Sequence, residues 1–489
     1  MYEENYFESE SLSQDAVHGY ISFSSPTVSL PDESSSEREL IDSPWVQRLR
    51  QIHQLQTAWL VYPTAEHSRF QHVLGTMHLA SRVWHELRDS FYKVFQDDPD
   101  LLEGESLPSP AFIESLLRVA GLLHDVGHGP FGHFFDRHFL SQYKTPGGHI
   151  LTHETLGGEI IRRELAPLIR GIRRNPNGVF NAGEQLDPDL VAFLIIRPRE
   201  NDTLAGRTPP LWLNLLRGLF SGLYTIDNMD FVLRDSYMAG FGSEAFDFQR
   251  LLHYSFFTKH GLTLHRKGLA SLIHFLNARE ELFHSLYFHR KVRAADLALS
   301  DLFQNSAELL YPWGSPCDSL DRYLHFTEWS LLTDVDHWHE SQEEKKRSYA
   351  VPWRAFLQRK FPWHLLAEKS LVFQPGDRTS GTIFANESLF AAALRDQLPP
   401  EIHDAHLAFD LARTYHRPGS TAGSAQQNFL YDPSTNKISR LESEDSYRAM
   451  PKSSCLCRVY GTDPNLQQAI ARALGKLTEP DSSDDLTNM

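Results

Sequence analysis

The chain has 489 residues, 41% hydrophobic and 22% charged, which excludes a wholly disordered or membrane-embedded protein and allows two lobes. With 47 basic against 63 acidic residues the net charge is −16, which argues against nucleic acid or an anionic membrane surface as the main partner and makes any polyanionic ligand depend on a metal or on placed cations. Three cysteines exclude a disulfide framework, and an acidic N-terminus without a spanning apolar stretch points to a cytoplasmic protein with no membrane partner.

In chain order, residues 1–14 read as disordered and residues 18–23 as a hairpin strand by their alternation. From Ser43 and Pro44, an N-cap followed by proline at the first helical position, helical periodicity runs to about residue 300. Loops rich in Pro, Gly, Asn or Asp interrupt it at 96–110, 173–187 and 197–210. Residues 15–315 form one domain in this reading, residues 316–479 a smaller mixed lobe, and residues 480–489 a disordered acidic tail. Strands are expected at 428–431 and 457–460, a helix at 465–477, a Gly/Ser loop at 418–424, and Cys455 and Cys457 as a buried strand pair. The fold class is mainly α, a helical core with a mixed α+β C-terminal lobe.

The chemistry concentrates in a few segments. Leu116, Val119, Ala120 and Leu123 form the buried face of a helix that ends on His124 and Asp125, where Gly127 and Gly129 turn the chain away. Imidazole and carboxylate together suit Mn, Fe, Zn or Mg, although such a dipeptide alone also suits a capped helix end. Fifty-two positions earlier, His72 stands on another amphipathic segment and could add a third ligand; Asp227, sharing a face with Asp230 and Arg234, could add a fourth.

This ordered set, His, then His-Asp, then Asp, resembles the HD superfamily of metal-dependent phosphohydrolases. Residues 42–55, 67–75 and 124–135 extend the similarity to the deoxynucleoside triphosphate triphosphohydrolases, the sterile-alpha-motif and HD-domain, dGTPase-like family. The resemblance implies an HD-domain helical core in which one divalent ion, on His72, His124, Asp125 and Asp227, supports hydrolysis of a deoxynucleoside triphosphate to deoxynucleoside and inorganic triphosphate. It assigns catalysis to His128, His133, Asp136, His153 and Glu154, residue types that move protons near neutral pH. Substrate contacts fall to Gln54, Leu55, Arg69, Asp235, Arg279 and Tyr287, with the guanidiniums on phosphate and the tyrosine ring near the base. Asp42, Gln47 and Arg50 match a guanine-nucleotide activator site between subunits, which implies a homo-oligomer, a dimer or tetramer.

Two residues depart from that pattern: Asn228 stands where the family commonly has Lys, and Phe231 where it has Tyr. Losing one cation and one hydroxyl removes two charged or polar contacts to a triphosphate, worth about 1.5–3 kcal/mol each. Two other readings therefore stay open, an HD phosphohydrolase for a monophosphate, cyclic dinucleotide or modified nucleotide, and a non-hydrolytic nucleotide- or RNA-binding protein.

Overall fold

The computed structural model describes residues 10–26, 32–199, 202–204, 206–242, 245–374, 382–416 and 429–478. The expected tail at 480–489, the Gly/Ser loop at 418–424 and the first nine residues lie outside them. The chain divides into two compact units, one of residues 10–282, 307–334 and 429–444, the other of residues 283–306, 335–416 and 445–478. The sequence reading placed a single boundary at 315/316. Tertiary pairing decides otherwise for 429–444, because Phe429–Asp432 pairs in parallel with Gly261–His265, far from it in sequence.

The first unit is mainly helical. Glu10–Asp15 and Gly19–Ser24 form an antiparallel hairpin in register from Glu10↔Ser24 to Asp15↔Gly19, so ordered chain begins before the expected residue 15. The hairpin is anchored by a buried ion pair. Glu37 accepts from Arg118 Nε (2.5 Å) and Nη2 (2.9 Å) and from the Ser24 amide (2.9 Å), while Arg118 also donates to the Ser22 carbonyl (2.8 Å).

The helix expected from Ser43 is short. Pro44–Gln47 passes straight into a 3-10 turn at Arg48–Gln51, and Ser43 makes no side-chain cap. The long helix Arg69–Asp97 starts where the Gln71 side chain accepts from the Ser68 amide (2.7 Å), and it buries Phe70, Val73, Met77, Ala80 and Trp84 at helical spacing. Pro110–Leu123, capped by Ser109, is buried from Phe112 to Leu123 and packs against it. The third helix of consequence is Ile226–Met238, capped by Thr225 accepting from the Asn228 amide. Two strands, Ser255–Thr258 and Gly261–His265, interrupt the stretch read as helix; buried Phe257, Leu262 and Leu264 and a turn closing on Gly261 (φ 130°) explain them.

In the second unit Ser453–Gly461 is the central strand of a three-stranded antiparallel sheet between His364–Phe373 and Leu407–Tyr415. Its inner face buries Cys455, Cys457 and Val459 against Phe390, Leu394, Ile470 and Leu474. Helix Gln467–Thr478 follows, as the sequence suggested. No helix among the described residues is long and apolar enough to cross a membrane.

Buried Glu328 ties the chain around residue 53 to the turn at Phe131. It receives His53 Nδ1 (2.7 Å) and the Phe131 amide (3.3 Å), and His53 Nε2 meets Glu66 at 3.0 Å. Burial alone would lower the His53 pKa, but its bonds to Glu328 and Glu66 outweigh that and raise it. A raised folded-state pKa means the pair contributes fully below the unfolded value, about 6.5, and fades as pH rises through the folded value. The melting-temperature gap between wild type and His53→Gln should therefore be wide at pH 6 and narrow in alkaline buffer.

Candidate metal centre and its surroundings

His72 leaves the first turn of the long helix, and His124 directly follows the last residue of Pro110–Leu123. Whether they meet depends on how closely the helices cross. Gly121 permits a tight crossing: a Cβ there would stand 2.9 Å from the Thr76 carbonyl oxygen, and Thr76 Oγ1 donates to the Gly121 carbonyl over 2.7 Å. The two Nε2 atoms come within 3.2 Å. Asp125 Oδ1 lies 3.4 Å from His124 Nε2, and Asp227 Oδ1, from the first turn of Ile226–Met238, lies 3.1 Å from His72 Nε2 and 3.7 Å from His124 Nε2.

These residues fit a divalent cation. His124 Nδ1 is taken by the Gly121 carbonyl (2.8 Å) and His72 Nδ1 by Asp230 (2.7 Å), which leaves both Nε2 lone pairs facing the carboxylates. Burial pulls the His72 pKa down, yet Asp227 and Asp230 override it and raise the value to about 10; His124 is raised in the same way by Asp125 and Asp227. So strong a pull on a proton marks a site that a metal ion can neutralise instead. Two imidazoles and two carboxylates suit Mn, Fe, Zn or Mg.

Beside this tetrad lies a second cluster, His128, His133, Asp136 and His153. Gly127 brings it together by close approach rather than by a left-handed turn: a Cβ would sit 2.0 Å from the His153 carbonyl oxygen. The rings of His128 and His153 stack at 3.8 Å, His153 Nδ1 meets Asp136 at 2.5 Å, and His133 Nδ1 lies 3.3 Å from the same oxygen. Burial lowers the His153 pKa, but Asp136 wins and holds it up, whereas burial, Arg69 and His153 together hold His128 well below the usual imidazole range. His128 Nε2 stands 3.3 Å from Asp125 Oδ1, so the two clusters adjoin. Glu154 pairs with Arg197 (2.9 Å), and its charge adds to the pull that raises the His153 pKa.

Arg69 lines the site, donating to Asp125 Oδ2 (2.5 Å), and Gly132 makes room for its guanidinium. Gln54, His67 and Asp235 are brought together, with the Gln54 amide on the His67 carbonyl (3.0 Å) and His67 Nε2 on Asp235 (2.8 Å). Leu55 is buried beside them in sequence, and Arg279 stands half-buried on Leu269–Leu282, which packs on Ile226–Met238. Tyr287 belongs to the second unit, edge-on to Phe283 (4.9 Å). Arg50 Nε donates to Gln47 (2.8 Å), Gln47 to the Ile41 carbonyl (2.9 Å), and Asp42 lies exposed 3.6 Å from Arg38.

Sequence reasoning gave no role to Arg48, Asp230, Arg234 or His18. Arg48 is buried and donates to the His128 and Phe326 carbonyls (2.7 and 2.8 Å), pinning the turn after Asp125. Asp230 and Arg234 share a helix face with Asp227, a visible signal; His18 lies 212 positions from Asp230, and no local pattern could link them.

Residues 69–188 match the HD domain. The chain thus carries an HD domain and resembles the deoxynucleoside triphosphate triphosphohydrolases. Similar curated proteins are a SAMHD1 homolog of that activity from Dictyostelium discoideum (24% identical; 70% of this chain, 57% of the relative) and SAMHD1 from Gallus gallus (25%; 66% and 51%). A putative HD domain-containing protein, L394, from Acanthamoeba polyphaga mimivirus is 26% identical over 61% of this chain and 60% of its own. The chain spans about three fifths of the length of such relatives. A solved structure of a hypothetical protein from Aquifex aeolicus is similar in fold (TM-score 0.64, 20% identity), covering 95% of this chain and 100% of that one.

Proposed function

We propose that this chain is a metal-dependent phosphohydrolase that cleaves deoxynucleoside triphosphates to deoxynucleoside and inorganic triphosphate. The observation that carries this reading is the convergence of His72, His124, Asp125 and Asp227 beside Arg69 and the His128–Asp136–His153 cluster. A divalent cation on the four ligands would supply positive charge to phosphoryl oxygens and lower the pKa of water. Arg69 and Arg279 hold phosphate oxygens, for which a planar, permanently charged guanidinium is suited. Asp136 favours the protonated, proton-giving form of His153, while burial and Arg69 favour the neutral form of His128 beside it. Gln54 and Asp235 hold the sugar hydroxyl. Asp42, Gln47 and Arg50 take a guanine nucleotide activator in a homo-oligomer.

Incubation with each of the four dNTPs and several divalent metals, followed by chromatography, should yield deoxynucleoside and triphosphate, with turnover rising as GTP is titrated in. A second reading rests on Asn228 and Phe231: release of orthophosphate or of a linear dinucleotide would move the substrate to another nucleotide and keep the hydrolase. Absence of any cleavage with every metal tried would overturn both.

A further inference from the structure

We propose that His18, in the turn of the N-terminal hairpin, is a positioning residue for the metal centre, acting through Asp230 on His72; this rests on the reading that the tetrad holds a cation. The buried carboxylate of Asp230 receives four donors: His72 Nδ1 (2.7 Å), His18 Nε2 (2.6 Å), Arg234 Nε (2.9 Å) and Arg234 Nη2 (3.1 Å). A carboxylate offers about four acceptor positions, so all are taken and the group is locked. A histidine ligand whose outer N–H meets a fixed carboxylate keeps its ring orientation and gains basicity. His18 supplies the one donor that does not come from the ligand itself or from Asp230's own helix.

The hairpin is built to deliver that donor. Asp15 accepts the amides of Val17 (3.0 Å) and His18 (2.9 Å), which fixes the turn, and the same carboxylate takes Arg234 Nη1 (2.8 Å), which fixes the turn to the helix. The His18 ring is 1% exposed and stands 5.4 Å from the ring of His78. Gly75 completes the fit, since a Cβ there would lie 2.1 Å from Asp230 Oδ1 and 2.2 Å from Arg234 Nη2. A segment that supplies no ligand thereby sets how firmly a ligand is held, and metal affinity depends on the hairpin remaining docked.

The test is calorimetric titration of Mn²⁺ into metal-stripped full-length protein. His18→Ala should bind Mn²⁺ roughly 10–100-fold more weakly than wild type, the usual scale for losing an outer-shell partner. His18→Gln, whose amide nitrogen reaches the place of Nε2, should retain most of the affinity. Unchanged affinity in His18→Ala overturns the proposal, and so does a His18→Gln variant as weak as His18→Ala, because lost packing would then be the cause. If circular dichroism shows His18→Ala unfolded, His18→Asn, one methylene short of Asp230, takes its place under the same criteria. Wild-type protein that takes up no Mn²⁺ overturns the metal centre itself, a result distinct from equal binding by wild type and variant.

Discussion

Asp125→Ala should abolish metal binding and reduce phosphohydrolase turnover by about 10³-fold or more, the combined scale of charge stabilisation and positioned acid–base groups. Asp125 carries this weight because of where it stands. Its Oδ1 lies 3.4 Å from His124 Nε2 and 3.3 Å from His128 Nε2, while its Oδ2 holds Arg69. Removing it would take away one of the four candidate ligands and leave the Arg69 guanidinium without the carboxylate it donates to. Metal content by atomic emission, measured beside turnover and melting temperature, separates the outcomes. A folded Asp125→Ala protein that keeps its metal and its turnover would remove the tetrad from the mechanism.

Glu37→Leu should destabilise the protein by about 3–5 kcal/mol, since breaking a buried pair leaves an uncompensated charge in the interior. Arg118 would lose two of its four hydrogen bonds, and the Ser24 amide its acceptor. The double variant Glu37→Leu/Arg118→Met should recover much of that loss, because removing both partners leaves no unpaired ion. Urea unfolding of the two single variants and the double variant measures it; a single variant within 1 kcal/mol of wild type would show that the pair contributes nothing specific. The pair also fastens the hairpin that carries His18, so Glu37→Leu should weaken Mn²⁺ binding as well.

The candidate metal donors were legible as residue types because their signal is local. Residue type decides what can ligate, and each ligand sits at a point its helix makes legible: the first turn for His72 and Asp227, just beyond the last turn for His124 and Asp125. The helical character and the strand around Cys455 to Tyr460 followed likewise from periodicities of 3.6 and 2. The strands at 255–265 were missed because four- and five-residue strands alternate too briefly against a helical background.

By itself, then, the sequence determined that four donors of the right chemistry exist and that the helices carrying them are amphipathic or buried. Only the tertiary structure decided that they meet, through the close approach at Gly121, that Gly127 lets His153 join the second cluster, and that Asp230 is saturated by a histidine from a hairpin 212 residues away. The physical reason is that ligation depends on side-chain type and helix phase, which are local, whereas the burial and hydrogen-bond saturation of an outer shell are set by contacts between distant segments, which no periodicity records.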